Sequence, residues 1–301
     1  MRTGLSEILR NKAINEWNLF WLITGPTSIA MVIAMMGTNL SSGEAVSSMI
    51  QLSVRCAIPW LYLAFAASSV QVLFPGQLNR WLLRNRKIMG LCFAAAMGWQ
   101  LLFIGWLVTV YSDYYIEEVY VLRDVIEGVL GYLFLVAMTL TSFRFGRKYL
   151  KPRQWRLLHK GGIYFLWAYA FSVYWWALFY NQNPVLLDYV YYWSGLLAWA
   201  VRAAAWSKKR RKLDEKSAPE ISTPLALKLI GAVIIGFGLI AASCGAVWKE
   251  PVEGFLMGTA ITKTLELYWP YWPFTPFLPL FIIALGTLLM TRGRKGTTVD
   301  R

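Results

Sequence analysis

Long apolar stretches recur along the chain, separated by short polar segments. This is the pattern of helices that cross a bilayer rather than of strands or of one-faced surface helices. Eight stretches stand out, at about residues 18–36, 49–74, 88–111, 125–143, 161–180, 189–206, 225–248 and 274–290. Several reach the roughly 20 residues that a helix needs to cross about 30 Å of hydrocarbon. Ahead of the first, Leu5, Ile8, Leu9 and Ile14 make an amphipathic run expected to lie along the membrane surface. The polar segments alternate in charge: 79–87, 144–156, 208–212 and the tail with Arg292, Arg294 and Lys295 are basic, whereas 37–48, 113–118 and 181–188 carry acidic residues and no basic ones. Basic loops stay on the cytoplasmic side, so the pattern predicts an all-α integral membrane protein of about eight spans with both termini inside.

Apolar residues make up 57% of the chain and charged ones 15%, a balance suited to lipid rather than to a single water-enclosed core. The net charge of +14 would point to nucleic acid in a soluble protein. Here the cations cluster between spans, so they are read as topology signals and headgroup contacts, and no nucleic-acid partner is expected. Residues 1–17 show no cleavable signal and form an N-terminal amphipathic segment, 18–207 a six-span domain, and 208–223 a charged cytoplasmic linker. A two-span hairpin over 224–291 and a cytoplasmic tail over 292–301 complete the expected division. Gly231, Gly236 and Gly238 favour close helix approach in that hairpin. Its outer segment interleaves aromatics with prolines, which prevents a regular helix and suits the headgroup region. Trp269, Tyr271, Trp272 and Phe274 there are expected to serve either as interfacial anchors or as a docking surface for another membrane or periplasmic subunit.

Little conventional chemistry is available. His159 is the one histidine, no nucleophile motif accompanies it, and no Walker loop or dinucleotide-binding glycine motif occurs. Cys56, Cys92 and Cys244 fall inside apolar stretches without metal-ligand or disulfide spacing and read as small buried hydrophobes. Arg55, Glu127 and Arg202 lie near span ends, so a transporter's polar path is not evident.

Two segments carry a resemblance. The run from Arg86 and Lys87 through Gly90 and Leu91 to Trp99 and Gln100 resembles the third helix of the ferric reductase-like transmembrane family, and Gln154-Trp155-Arg156-Leu157-Leu158-His159-Lys160 through Tyr164 resembles its fifth. The family includes ferric reductases, NADPH oxidases and, closest in pattern, the haem-binding membrane subunits of bacterial methionine sulfoxide reductase systems. The likeness covers roughly residues 15–210 and implies a six-helix bundle that carries electrons across a bacterial inner membrane through b-type haems. Residues 224–291 would be an appendage outside it.

In that family facing histidines from helices three and five hold the iron, because a neutral imidazole nitrogen is a strong axial ligand. Here the membrane-centre ligand positions hold Gln100 and Ser172. At the inner-side site His159 remains, in a basic loop at the membrane face, but its partner position falls at Arg86 or Lys87, and a protonated cation has no lone pair for iron. The resemblance thus implies a haem-depleted relative acting as an accessory or scaffolding subunit, with Gln100 and Ser172 linking the helices by a hydrogen bond. Trp99, Phe103, Trp167, Phe171, Trp175 and Trp176 would fill the space. The alternatives are an electron carrier with one haem b on His159 or a quinone near the inner basic loops, and, third, a transporter. No soluble flavin or nicotinamide domain follows the six spans, so reductase chemistry would need a separate electron donor.

Overall fold

The computed structural model describes residues 2–217, 223–259, 262, 264 and 269–291; the predicted tail 292–301 lies outside them. The described residues are helical, without a strand. Six helices are long and apolar enough to cross a membrane: α2 (Glu16–Gly37), α3 (Gly43–Leu73), α5 (Arg86–Val110), α7 (Leu122–Thr141), α9 (Pro152–Phe179) and α11 (Leu225–Ser243). By length and composition they mark a multi-pass membrane protein. Their outward faces agree with lipid contact: on α2 alone Trp21, Ile29, Ile33 and Met36 are each more than half exposed. Ahead of them lies α1 (Arg2–Arg10), and between them α4 (Gln77–Arg84) and the short α6 (Ser112–Tyr114) and α8 (Arg144–Arg147). They are followed by α10 (Leu186–Ser217), α12 (Gly245–Leu256) and α13 (Leu278–Met290).

Several boundaries depart from expectation. α3 begins at Gly43, not near residue 49, because Ser42 caps it by accepting a hydrogen bond from the Ala45 amide at 3.2 Å. α10 contains the expected sixth span, but Tyr189, Tyr191, Tyr192, Trp193 and Arg202 keep its hydropathy below that of the six. The helix also runs on to Ser217, so residues 208–217 of the expected linker continue α10; the next five residues are outside those described. The seventh expected span breaks at Cys244, where α12 starts. The last comprises a 3-residue 3₁₀ turn (Thr275–Phe277) and the 13 residues of α13, together about 24 Å long and short of a full hydrocarbon crossing.

The chain divides into two compact units, Met1–Phe171 and Ser172–Arg301, with the boundary inside α9. In the first, the most extensive packing is α3 on α5, and Met31 of α2 closes a core with Val46, Met49, Phe103 and Leu107. At one end of this unit Tyr111 donates to the Leu40 carbonyl at 2.6 Å, while Gly43 lies so close to the Tyr114 ring that no side chain would fit. The other end is tied by polar contacts: Trp81 Nε1 donates to the Ile14 carbonyl at 2.9 Å, Arg84 to that of Leu9 at 2.7 Å, and buried Asn85 joins Asn15 and the Glu16 amide. The Arg84 bond ties α1 to α4, with Leu9 buried and Ile8 exposed. In the second unit α11 packs on α13 through backbone contact, and the fully buried Tyr192 donates to the Ala242 carbonyl at 2.8 Å, two residues before the Cys244 break.

Candidate functional site

His159 lies on the second turn of α9, not in a loop, and its surroundings come from three helices. α9 starts at Pro152, whose fixed φ suits a first helical turn. One turn before His159, Trp155 packs on the imidazole with ring centroids 4.4 Å apart, and its Nε1 donates to the Thr141 carbonyl at the end of α7 at 3.0 Å. The Thr141 hydroxyl meets His159 Nε2 at 3.0 Å and also lies 2.6 Å from the Ala137 carbonyl, which can only accept. The single hydroxyl proton therefore goes to Ala137, and His159 Nε2–H is the donor to Thr141 Oγ1. Arg147 stacks on Trp155 at 4.7 Å, and both Arg86 and Arg147 place positive charge near the imidazole. Arg86 itself donates through Nε to the Ala64 carbonyl of α3 at 2.9 Å, and Lys87 sits over the Phe143 ring at 4.9 Å.

Deeper along the bundle, the Gln100 side-chain oxygen accepts from the Tyr132 hydroxyl of α7 at 2.8 Å; that hydroxyl also reaches the Met97 carbonyl at 3.1 Å. Tyr132 is a partner the sequence did not single out, because a Tyr inside an apolar run looks like an ordinary core aromatic. Ser172 belongs to the second unit and is buried. Of the expected space-filling aromatics, Phe103, Trp167, Phe171 and Trp175 are buried, Trp99 is half-buried and donates to Ser28 at 3.1 Å, and Trp176 is 37% exposed. Phe65 of α3, which the sequence did not single out, packs among them. Its ring stacks on Trp167 at 5.2 Å, Trp167 stacks on Phe171 at 5.3 Å, and Tyr164 meets Phe65 edge-on at 5.1 Å.

These residues do not fit a haem. His159 Nε2–H is committed to Thr141, so that nitrogen offers no lone pair, and Trp155 packs on the ring. Gln100 already accepts from Tyr132, and Arg86 and Lys87 are cations. A small, partly open cavity between α2, α3 and α5 is lined by Thr24, Thr27, Ser28, Cys92 and Trp99 and contains none of these residues. Among the described residues no group of three His, Cys, Asp or Glu side chains could hold a metal.

The second unit holds a polar cluster that hydropathy did not reveal. Lys249 of α12 is only 8% exposed; its ammonium donates to the Phe179 carbonyl at the end of α9 at 2.7 Å and lies 3.4 Å from the Tyr180 ring centroid. Trp176 packs on Tyr180 at 3.9 Å, and the Glu253 carboxyl lies against the Tyr180 hydroxyl, although neither the hydroxyl nor Glu253 Oε1 makes a well-formed hydrogen bond. Glu250, 3.9 Å from Lys249, is 81% exposed. Gly245 gives α12 its close approach, because a Cβ there would stand 2.6 Å from Trp175 and 2.8 Å from Phe179. Of the expected docking aromatics, Trp269 is 56% exposed, whereas Tyr271, Trp272 and Phe274 are half-buried. Phe274 meets Trp269 and Trp272 edge-on, and Tyr271 meets Phe277. The turn is not a helix, in keeping with its prolines: Trp272–Pro273 is cis, and Tyr271 and Phe274 both adopt φ of 64°.

Comparison with known proteins adds no family: no family model, no curated protein and no solved structure matches the chain.

Proposed function

We propose that this chain is a haem-free relative of the ferric reductase-like membrane proteins, serving as a scaffolding subunit of a bacterial inner-membrane redox complex. The observation that carries the reading is the replacement of ligand chemistry by internal bonds at both places where the resemblance expects iron. His159 Nε2–H is bonded to Thr141, and Gln100 to Tyr132. A bundle that keeps the helix order while its ligand positions stabilise the fold is suited to holding partners rather than passing electrons itself. The topology in this reading is eight crossings with both termini inside. α10 provides the Tyr-rich sixth and α13 a short eighth, whose mismatch with the bilayer is met by local thinning. The half-buried aromatic turn at residues 269–274 anchors the outer end, with Trp269 presented to a neighbouring subunit.

Native purification tests the scaffold role. A tagged full-length chain extracted from its own membranes in a mild detergent is expected to comigrate at fixed stoichiometry with a chain that carries a flavin, a haem or an iron–sulfur cluster, visible in the absorption spectrum. A chain that runs alone after mild extraction, while proton or solute flux appears in proteoliposomes, would overturn the assignment.

A further inference from the structure

We infer that the turn joining α7 to α9 is a binding surface for anionic phospholipid, built from cations and exposed aromatics on a fixed backbone. The inference rests on the multi-pass reading and not on the ferric reductase-like resemblance. Residues 143–160 hold seven cations and no carboxylate: Arg144, Arg147, Lys148, Lys151, Arg153, Arg156 and Lys160. All seven are exposed, and residues 143–160 contain no acidic side chain to pair with them. Interleaved with them, Phe145 is 57% exposed and Tyr149 76% exposed. Water is a poor neighbour for both rings, and a soluble anion would satisfy only the cations. A lipid monolayer with negative headgroups satisfies both at once, with aromatics at the acyl boundary and cations at the phosphates.

The surface is built rather than loose. Gly146 folds so closely on the Leu140 carbonyl that no Cβ would fit, which fixes α8 against the end of α7. Trp155 fastens the far side through its bond to the Thr141 carbonyl and carries Arg147 on its ring. Phe143 stacks on Trp17 at 6.1 Å and on Phe145 at 5.6 Å, and receives Lys87 from α5 on its ring, so α5 adds a cation to the aromatic patch of the turn. Glu7 and Glu16 are the carboxylates on the neighbouring N-terminal segment, both exposed, too few to neutralise this turn. The inner leaflet supplies the negative surface such a cation set selects.

The test uses full-length protein in nanodiscs of phosphatidylcholine with and without phosphatidylglycerol, read by native mass spectrometry of retained lipid and by binding of a fluorescent phosphatidylglycerol in detergent. Phosphatidylglycerol is expected to be retained in preference to phosphatidylcholine. Lys148→Gln and Arg144→Gln, which touch no buried group, are expected to weaken it roughly 5-fold each, the fold-change for one surface cation. Phe145→Ser is expected to weaken both lipids while keeping the preference. Equal retention of the two lipids, unchanged binding in the charge variants, or displacement of the labelled lipid by millimolar inorganic phosphate would each overturn the inference.

Discussion

Gly286→Val is expected to destroy the packing of α11 on α13. A Cβ at Gly286 would stand 2.6 Å from the Gly231 carbonyl oxygen, 2.8 Å from Ile235 Cγ1 and 3.0 Å from the Ile235 amide. The reciprocal holds at Gly231, which faces the Gly286 oxygen at 2.6 Å, and Gly238 faces the Pro279 oxygen at 3.0 Å. Because the nearest obstacle, the Gly231 oxygen, is backbone, no rotamer change relieves it, and the helices must part. Overpacking typically costs about 1–3 kcal/mol, and a β-branched side chain against backbone belongs at the upper end or beyond it. Gly236 is the internal control: nothing lies within 4 Å of its Cβ position, so Gly236→Ala is expected to be neutral or to gain up to about 1 kcal/mol from helix propensity. Thermal unfolding of the detergent-solubilised chain, followed by tryptophan emission, should separate the two variants. Equal midpoints would show that α11 and α13 do not pack this way.

Lys249→Met should be the second large effect. The substitution keeps the aliphatic length but leaves the Phe179 carbonyl without its donor and removes the ammonium from the Tyr180 face. An orphaned buried acceptor costs about 1–3 kcal/mol, and the lost cation–π contact adds to it. Lys249→Gln retains a donor and is expected to lose less. If the two variants unfold alike and like the parent, the ammonium is not held as described. A buried lysine beside a carboxyl and a phenol is unusual at a membrane helix end, and its default reading is functional. The same variants examined for assembly in native membranes would show whether the cluster also serves partner contact.

Helix existence was legible in the sequence because a run of some twenty apolar residues has few alternatives, and α2, α5 and α7 fall within a few residues of expectation. Boundaries were less so where capping decided them. Ser42 starts α3 early, and the charged residues after Trp206 are good helix formers that let α10 continue rather than open into a linker. The candidate site was half legible. His159, Gln100 and Arg86 could be named from the resemblance, but their partners Thr141, Tyr132 and Ala64 could not, since a Thr or Tyr in an apolar helix carries no mark of the neighbour it will meet. Lys249 and Glu253 escaped notice for a related reason: composition placed them in an outer loop, whereas α12 turns them inward beside the end of α9.

The account turns on whether His159 binds iron. The most direct measurement is the absorption spectrum, with acid-extracted haem content, of full-length protein purified from haem-replete cells alongside its His159→Ala variant. The account predicts no Soret band and no haem above background in either sample. A Soret band with near-stoichiometric haem in the parent chain, lost in His159→Ala, would contradict it.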